Sequence, residues 1–262
     1  EPRMRVYDPS GALLFDAFGD SGTQAFIDEL LLAVAGTYAV LVGDVKGDEG
    51  MSYALNLQRT FLPGQATAIG YGDCASGSIT TIACQDAFTF DATAGDVIGL
   101  RMQDNSNAEP WIRVYDPAGA LLTTKVGNSG AHAFLDGVSI PQTGTYAILV
   151  GDSNGDEGLS YWLDLQRTFL PPQATPITYG DCPTGSITTL ACRDMYTFDA
   201  AAGDIVTLRM QDDTNGEPRM RVYDPSGALL FDAFGDSGTQ AFIDELLLAV
   251  AGTYAVLVGD VK

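Results

Sequence analysis

Four cysteines, two Gly-Asp-Ser-Gly loops and several oxygen-rich turns are the residues of this chain with the means to do chemistry. The cysteines occur as "CASGSITTIAC" (74–84) and "CPTGSITTLAC" (182–192), ten positions apart in each pair. Four cysteines allow three pairings, or four buried free thiols. Equivalent positions in neighbouring domains should lie a domain-width apart, so the expected bridges are Cys74–Cys84 and Cys182–Cys192. A straight strand of ten residues covers ~33 Å, whereas bridged Cα atoms sit ~5.5 Å apart. Each pair therefore predicts a chain reversal, at Ser76-Gly77 and Thr184-Gly185. Disulfides imply an oxidising, extracellular setting.

A serine in "GDSG" (19–22 and 235–238) would act as a nucleophile only beside a histidine base. The sole histidine, His132, belongs to the copy that reads "GNSG", and the other two copies carry Gln24 and Gln240 at its position. These loops read as turns, and no catalytic residue is assigned. "QDNSNAEP" (103–110) and "QDDTNGEP" (211–218) keep oxygen-bearing side chains at four matched positions. Asp104, Asn105, Asn107 and Glu109, then Asp212, Asp213, Asn215 and Glu217, are candidate calcium ligands, and calcium is the one cofactor suggested. "DSNGDEG" (152–158) also offers alternating oxygens, but the first copy puts Lys46 where Asn154 stands, so it reads as a polar turn.

The elements that position these residues are repeated. "EPRMRVYDPSGALL" begins at residue 1, returns as "EPWIRVYDPAGALL" at 109 and returns unchanged at 217, a period of 108. Residues 1–46 match 109–154 at 25 of 46 positions but match 217–262 at every one. The copies therefore alternate as A, B, A. That pattern predicts recently duplicated two-domain blocks or a window on a long array.

Each unit reads as all-β. In the central copy the expected strands are 77–82, 87–92, 96–103, 111–116, 120–126, 131–140, 145–151 and 159–168, from alternation and β-branched or aromatic enrichment. Turn signals such as "DPAG" (116–119) separate them. Eight short strands in about 100 residues predict a tandem array of β-sandwiches of jelly-roll or Greek-key type. "FLPGQAT" (61–67) and "FLPPQAT" (169–175) read as linkers. They divide the chain into 1–64, the C-terminal part of an A unit, 65–172, a complete sandwich, and 173–262, a unit lacking its last strand.

With 34 acidic residues against 13 basic ones the net charge is −21, which excludes nucleic acid as a natural partner. The apolar run Leu30 to Gly43 is too short to span a bilayer, so no membrane span is expected in this segment.

"GSITTLACRDMYTFDAAAGDIVTLRM" (185–210), "RVYDPSGALL" (221–230), "AGTYAVLVGD" (251–260) and "GLSYWLDLQR" (158–167) resemble bacterial pre-peptidase C-terminal domains. The resemblance spans nearly the whole 108-residue unit, although the cysteine pairs depart from that pattern. It implies a secreted, noncatalytic β-sandwich module. Such modules often sit beside peptidases, and some relatives bind calcium or collagen.

The expected function is structural: a rigid extracellular filament, stalk or cell-surface fibre of head-to-tail sandwiches. Its partners would be neighbouring copies of itself, joined covalently or by strand exchange. The alternative is an adhesin or carbohydrate- or protein-binding module accessory to a secreted enzyme. That reading predicts a shared aromatic patch, but Trp111 and Trp162 become Arg3 and Ala54 in the A copy.

Overall fold

The computed structural model describes the chain except residues 20–22, 107, 128–131, 213–215, 236–238 and 262. The candidates Asn107, Asp213 and Asn215 and the serine loops therefore lie outside the described residues. The chain forms two compact units, Glu1–Leu57 and Gln58–Lys262. The fold is all-β, and among the described residues no helix is long and apolar enough to cross a membrane.

In the first unit, β1 (Pro2–Tyr7), β2 (Leu13–Phe18) and β3 (Ala39–Asp44) pair antiparallel in the order β2-β1-β3. Arg3 Nε donates to Asp16 at 2.8 Å and Arg5 Nε at 3.2 Å, tying the hairpin across its face.

The second unit holds two sandwiches. The first is built from β4 (Thr67–Ala68), β5 (Cys74–Ile79), β6 (Gln85–Ala92), β7 (Val97–Asp104), β8 (Pro110–Tyr115), β9 (Leu121–Val126), β10 (His132–Ser139), β11 (Gly144–Asp152) and β12 (Leu159–Arg167). A five-stranded sheet, β4-β6-β11-β8-β9, faces a four-stranded sheet, β10-β7-β12-β5. Alternation sends Ile98, Leu100 and Met102 of β7, and Leu163 and Leu165 of β12, into the core between them. There they meet Phe88, Phe90, Tyr146 and Ile148, all at or below 4% exposure. The eight expected strands are all present. The first lies three residues upstream of its expected place, because "CASGSI" pairs with β12 from Asp164 to Leu159.

The second sandwich has β13 (Thr175–Pro176), β14 (Asp194–Ala200), β15 (Ile205–Gln211), β16 (Pro218–Tyr223), β17 (Leu229–Phe234), β18 (Gln240–Leu247) and β19 (Gly252–Asp260). Its five-stranded sheet, β13-β14-β19-β16-β17, repeats the order of the first sandwich, and β15 pairs with β18 opposite it.

Gly77 shows how closely the first sandwich is packed. It lies opposite Tyr161, and an added Cβ would fall 2.4 Å from the tyrosine hydroxyl, which donates to Asp86 at 2.7 Å. Gly77→Ala must push the ring off Asp86 and is expected to destabilise the sandwich by about 1–3 kcal/mol. A lowered urea midpoint checks this, and an unchanged one would refute it.

Candidate functional site: the junction between stacked sandwiches

Along β7 and β12 the residues that point away from the core are not surface residues. Arg101 and Gln103 are buried, and Asp164 and Gln166 are at most 1% exposed. One period later Arg209 and Gln211 hold the places of Arg101 and Gln103, and they are exposed. The difference is a covering layer. The outer face of the four-stranded sheet in the first sandwich packs on the outer face of the five-stranded sheet in the second.

The contacts are specific. Arg193, just ahead of β14, donates through Nε to Asp164 at 2.6 Å and pairs with the same carboxylate through Nη2. Gln166 supplies the other Asp164 oxygen with a donor at 2.8 Å and reaches the Arg193 carbonyl at 3.2 Å. Burial pushes the Asp164 carboxyl up, and the Arg193 charge opposes that shift. A buried carboxylate is tolerable here because its cation and hydrogen bonds come with it. Arg101 donates to the Asp260 carbonyl at 2.8 Å, and burial, with the Arg193 charge nearby, pulls its guanidinium down to about 10. From β16, Tyr223 donates to Asp136 at 3.1 Å and Arg221 approaches the same carboxylate at 3.4 Å. The Arg221 and Arg193 guanidinium carbons lie 4.2 and 5.4 Å from the Phe134 ring centroid, as cation–π contacts require.

At the edge of the junction a cleft of about 420 Å³ is lined by Arg101, Lys125, His132, Arg193, Arg219 and Arg221. Burial, then the charges of Arg101 and Arg219, hold the His132 pKa down. Arg219 and Arg221 share Asp232 at 2.8 and 3.2 Å. Much of the positive charge is thus met by carboxylates of the protein itself.

Part of this pattern recurs one period earlier within the same unit. Gln58 donates to the Gln85 carbonyl at 2.9 Å, as Gln166 does to that of Arg193. Thr60 donates to the Gly119 carbonyl at 3.1 Å, as Thr168 does to that of Gly227 at 3.3 Å. A Cβ on Gly119 would meet Phe61 at 2.9 Å, and one on Gly227 would meet Phe169 at the same distance. "FLPGQAT" and "FLPPQAT" are therefore docking segments as well as connections.

The expected cysteine pairing is corrected. The bridge joins Cys74 to Cys192 with a Cα separation of 5.6 Å, across the junction rather than within a repeat, and Cys84 and Cys182 are free. The expected reversal at Ser76-Gly77 is absent. β5 runs straight through it, carrying the chain about 17 Å from Cys74 before the turn at 81–83 that precedes Cys84.

The oxygen-rich loops have local duties. Asp104 accepts from the Ser106 amide and hydroxyl at 2.9 and 2.6 Å and from the Ala108 amide at 2.8 Å. Asp212 accepts from the Gly216 amide. Asn105 is exposed, with its amide bonded to the Ser160 carbonyl, and the Glu217 carbonyl accepts from Val261. The structure instead brings Glu109 beside Asp152 and Asp156, with carboxylate oxygens all within 4.8 Å of one another. That cluster joins two turns which the sequence presents separately.

Asp164, Arg193, Asp136, Arg221 and Phe134 are absent from the sequence candidates. A signal for the central pair exists: where the B→A junction has Asp164 and Arg193, the positions one period earlier hold Asn56 and Gln85. Both charges change together.

No protein-family model matches the chain, and no curated protein matches it by sequence. Among solved structures it is similar to the pre-peptidase C-terminal domain of a collagenase from Bacillus anthracis. That likeness has 15% identity and a TM-score of 0.35, covering 43% of this chain and all of that one. It is also similar to PliG of Aeromonas hydrophila, a periplasmic inhibitor of g-type lysozyme. There the identity is 16% and the TM-score 0.31, over 39% of this chain and 97% of the other. The sandwich assignment rests on the strand pairing itself, since likenesses at these scores carry no argument about function.

Proposed function

We propose that the repeats build a rigid extracellular filament, stalk or surface fibre of head-to-tail units, of which 65–172 is a complete sandwich, 1–64 the C-terminal part of one and 173–262 one lacking its last strand. The partners are further copies of the same repeat. The observation that carries the reading is the burial of Asp164 and Arg193 at the junction. A flexible string of modules has no reason to desolvate charges between its members. The Cys74–Cys192 bridge supports an oxidising, extracellular location, as does the resemblance to secreted pre-peptidase C-terminal modules. The adhesin alternative gains no support from Trp111, which is 5% exposed with its indole N–H on the Asp152 carbonyl at 2.8 Å.

Stacked sheets lie about 10 Å apart, so each sandwich would advance the array by about 20 Å and each A–B pair by about 40 Å. Electron microscopy of the native protein should find fibres with that periodicity. Discrete particles would overturn the reading.

Calcium enters the proposal only at the B-type turns. Glu109, Asp152 and Asp156 offer the oxygens that a hard cation takes. The A copy has its own cation there, Lys46, 3.5 Å from the Glu1 carboxylate. Calcium added to metal-free protein is expected to raise the melting temperature by a few degrees, and Asp156→Asn is expected to abolish that rise. An unchanged melting temperature would remove calcium from the account.

A further inference from the structure

The two free cysteines are related by the repeat to the two that are bridged. Cys84 is the counterpart of Cys192 one period earlier, and Cys182 is the counterpart of Cys74 one period later. Their settings correspond as well. Cys192 precedes Arg193, whose carbonyl accepts from Gln166 of the preceding repeat, and Cys84 precedes Gln85, whose carbonyl accepts from Gln58 in the same way. The hydrogen bond that seats Cys192 against the previous sheet is thus already formed beside Cys84. Cys182 is exposed, and Cys84 is partly so.

We propose that Cys84 and Cys182 are disulfide-forming sites for neighbouring repeats, so that every junction of the array carries one bridge. Cys182 of an A unit bonds the Cys84 counterpart of the B unit that follows it. Cys84 bonds the Cys182 counterpart of the A unit before it. The inference rests on the stacked-array reading and adds a covalent ladder to it. Each rung forms by thiol–disulfide exchange: one thiolate attacks an oxidant disulfide, and the second then attacks the mixed disulfide. One S–S bond forms, the oxidant's S–S bond breaks, and the oxidant leaves as two thiols carrying the two electrons and two protons. The partner cysteine belongs either to a further repeat of the same polypeptide or to a second copy of this chain.

The test compares the 262-residue chain with the native protein, each alkylated without reduction and then cleaved between the paired cysteines by thermolysin. The flanking residues distinguish all four sites: "CASG" and "IACQ" in B, "CPTG" and "LACR" in A. In the 262-residue chain, alkylation is expected at Cys84 and Cys182 and not at Cys74 or Cys192. In the native protein alkylation falls to none, and peptides containing the two formerly free sites are linked to each other. Free Cys84 and Cys182 in the native protein, or links within "CASGSITTIAC" or "CPTGSITTLAC", would overturn the ladder. Migration without reductant identifies the source: one band for a partner in the same polypeptide, a ladder that collapses on reduction for a second chain. Fibres without the new link would sink this inference and leave the array standing. The link in discrete particles would do the reverse.

Discussion

Arg193→Gln is expected to destabilise the junction of the second unit by about 3–5 kcal/mol, and adding Asp164→Asn to it is expected to restore most of that loss. The single change leaves a carboxylate at 0% exposure without its guanidinium, and orphaned buried charges carry penalties of this size. The double change installs the Asn and Gln found one period earlier at 56 and 85, residue types with no charge to desolvate. Urea unfolding followed by Trp162, on the same outward row of β12 as Asp164, provides the measurement. If the double variant is no more stable than the single one, the ion pair is not what the two faces share.

In the proposed array the same chemistry would favour the A, B, A order. An A unit brings Arg193 to the unit before it, and a B unit brings Asp164 to the unit after it. Two A units in succession would set an Arg193-type residue against an Asn56-type one and bury a guanidinium without its carboxylate. Two B units would bury an aspartate against Gln85. In the proposed array only alternation would leave neither of these two charges buried without its partner.

Reducing the Cys74–Cys192 bridge is expected to cost about 4–5 kcal/mol, because the bridge closes a loop of 118 positions and cross-links of that span strongly restrict the unfolded chain. Cys74→Ser and Cys192→Ser should each match the fully reduced protein, while Cys84→Ser should leave the urea midpoint unchanged. That contrast separates the junction bridge from pairing within a repeat, where Cys84→Ser would be as damaging as Cys74→Ser.

Much of the sandwich was legible. The strands β6 to β12 follow alternation and turn residues closely, because one face of each must meet a core and the other must not. The cysteine spacing was misread for a physical reason: ten residues can reverse or run on, and the choice depends on whether β12 is present to pair with "CASGSI". The binding face was hidden by the same logic. Arg101, Gln103, Asp164 and Gln166 have the polarity of solvent-facing positions, and only a second sheet laid over them makes them interior.

The repeated passage draws the boundary between the two kinds of information. In both copies "PRMRVY" and "LLFDAF" form the same hairpin, with arginines on an aspartate 11 and 13 positions away, since every partner lies within the hairpin itself. "QAFIDELL" is β18 at 240–247 and has no strand structure at 24–31, although the letters are identical. At 240–247 it pairs with β15, a segment that precedes the repeated passage in the chain. The sequence alone determines hairpins, turns and which residues of a strand are apolar. A strand whose hydrogen bonds must come from a distant segment, and a charged face that must be buried by a neighbouring sheet, are decided only when those partners are in place. The backbone and the charges need them in order to leave water.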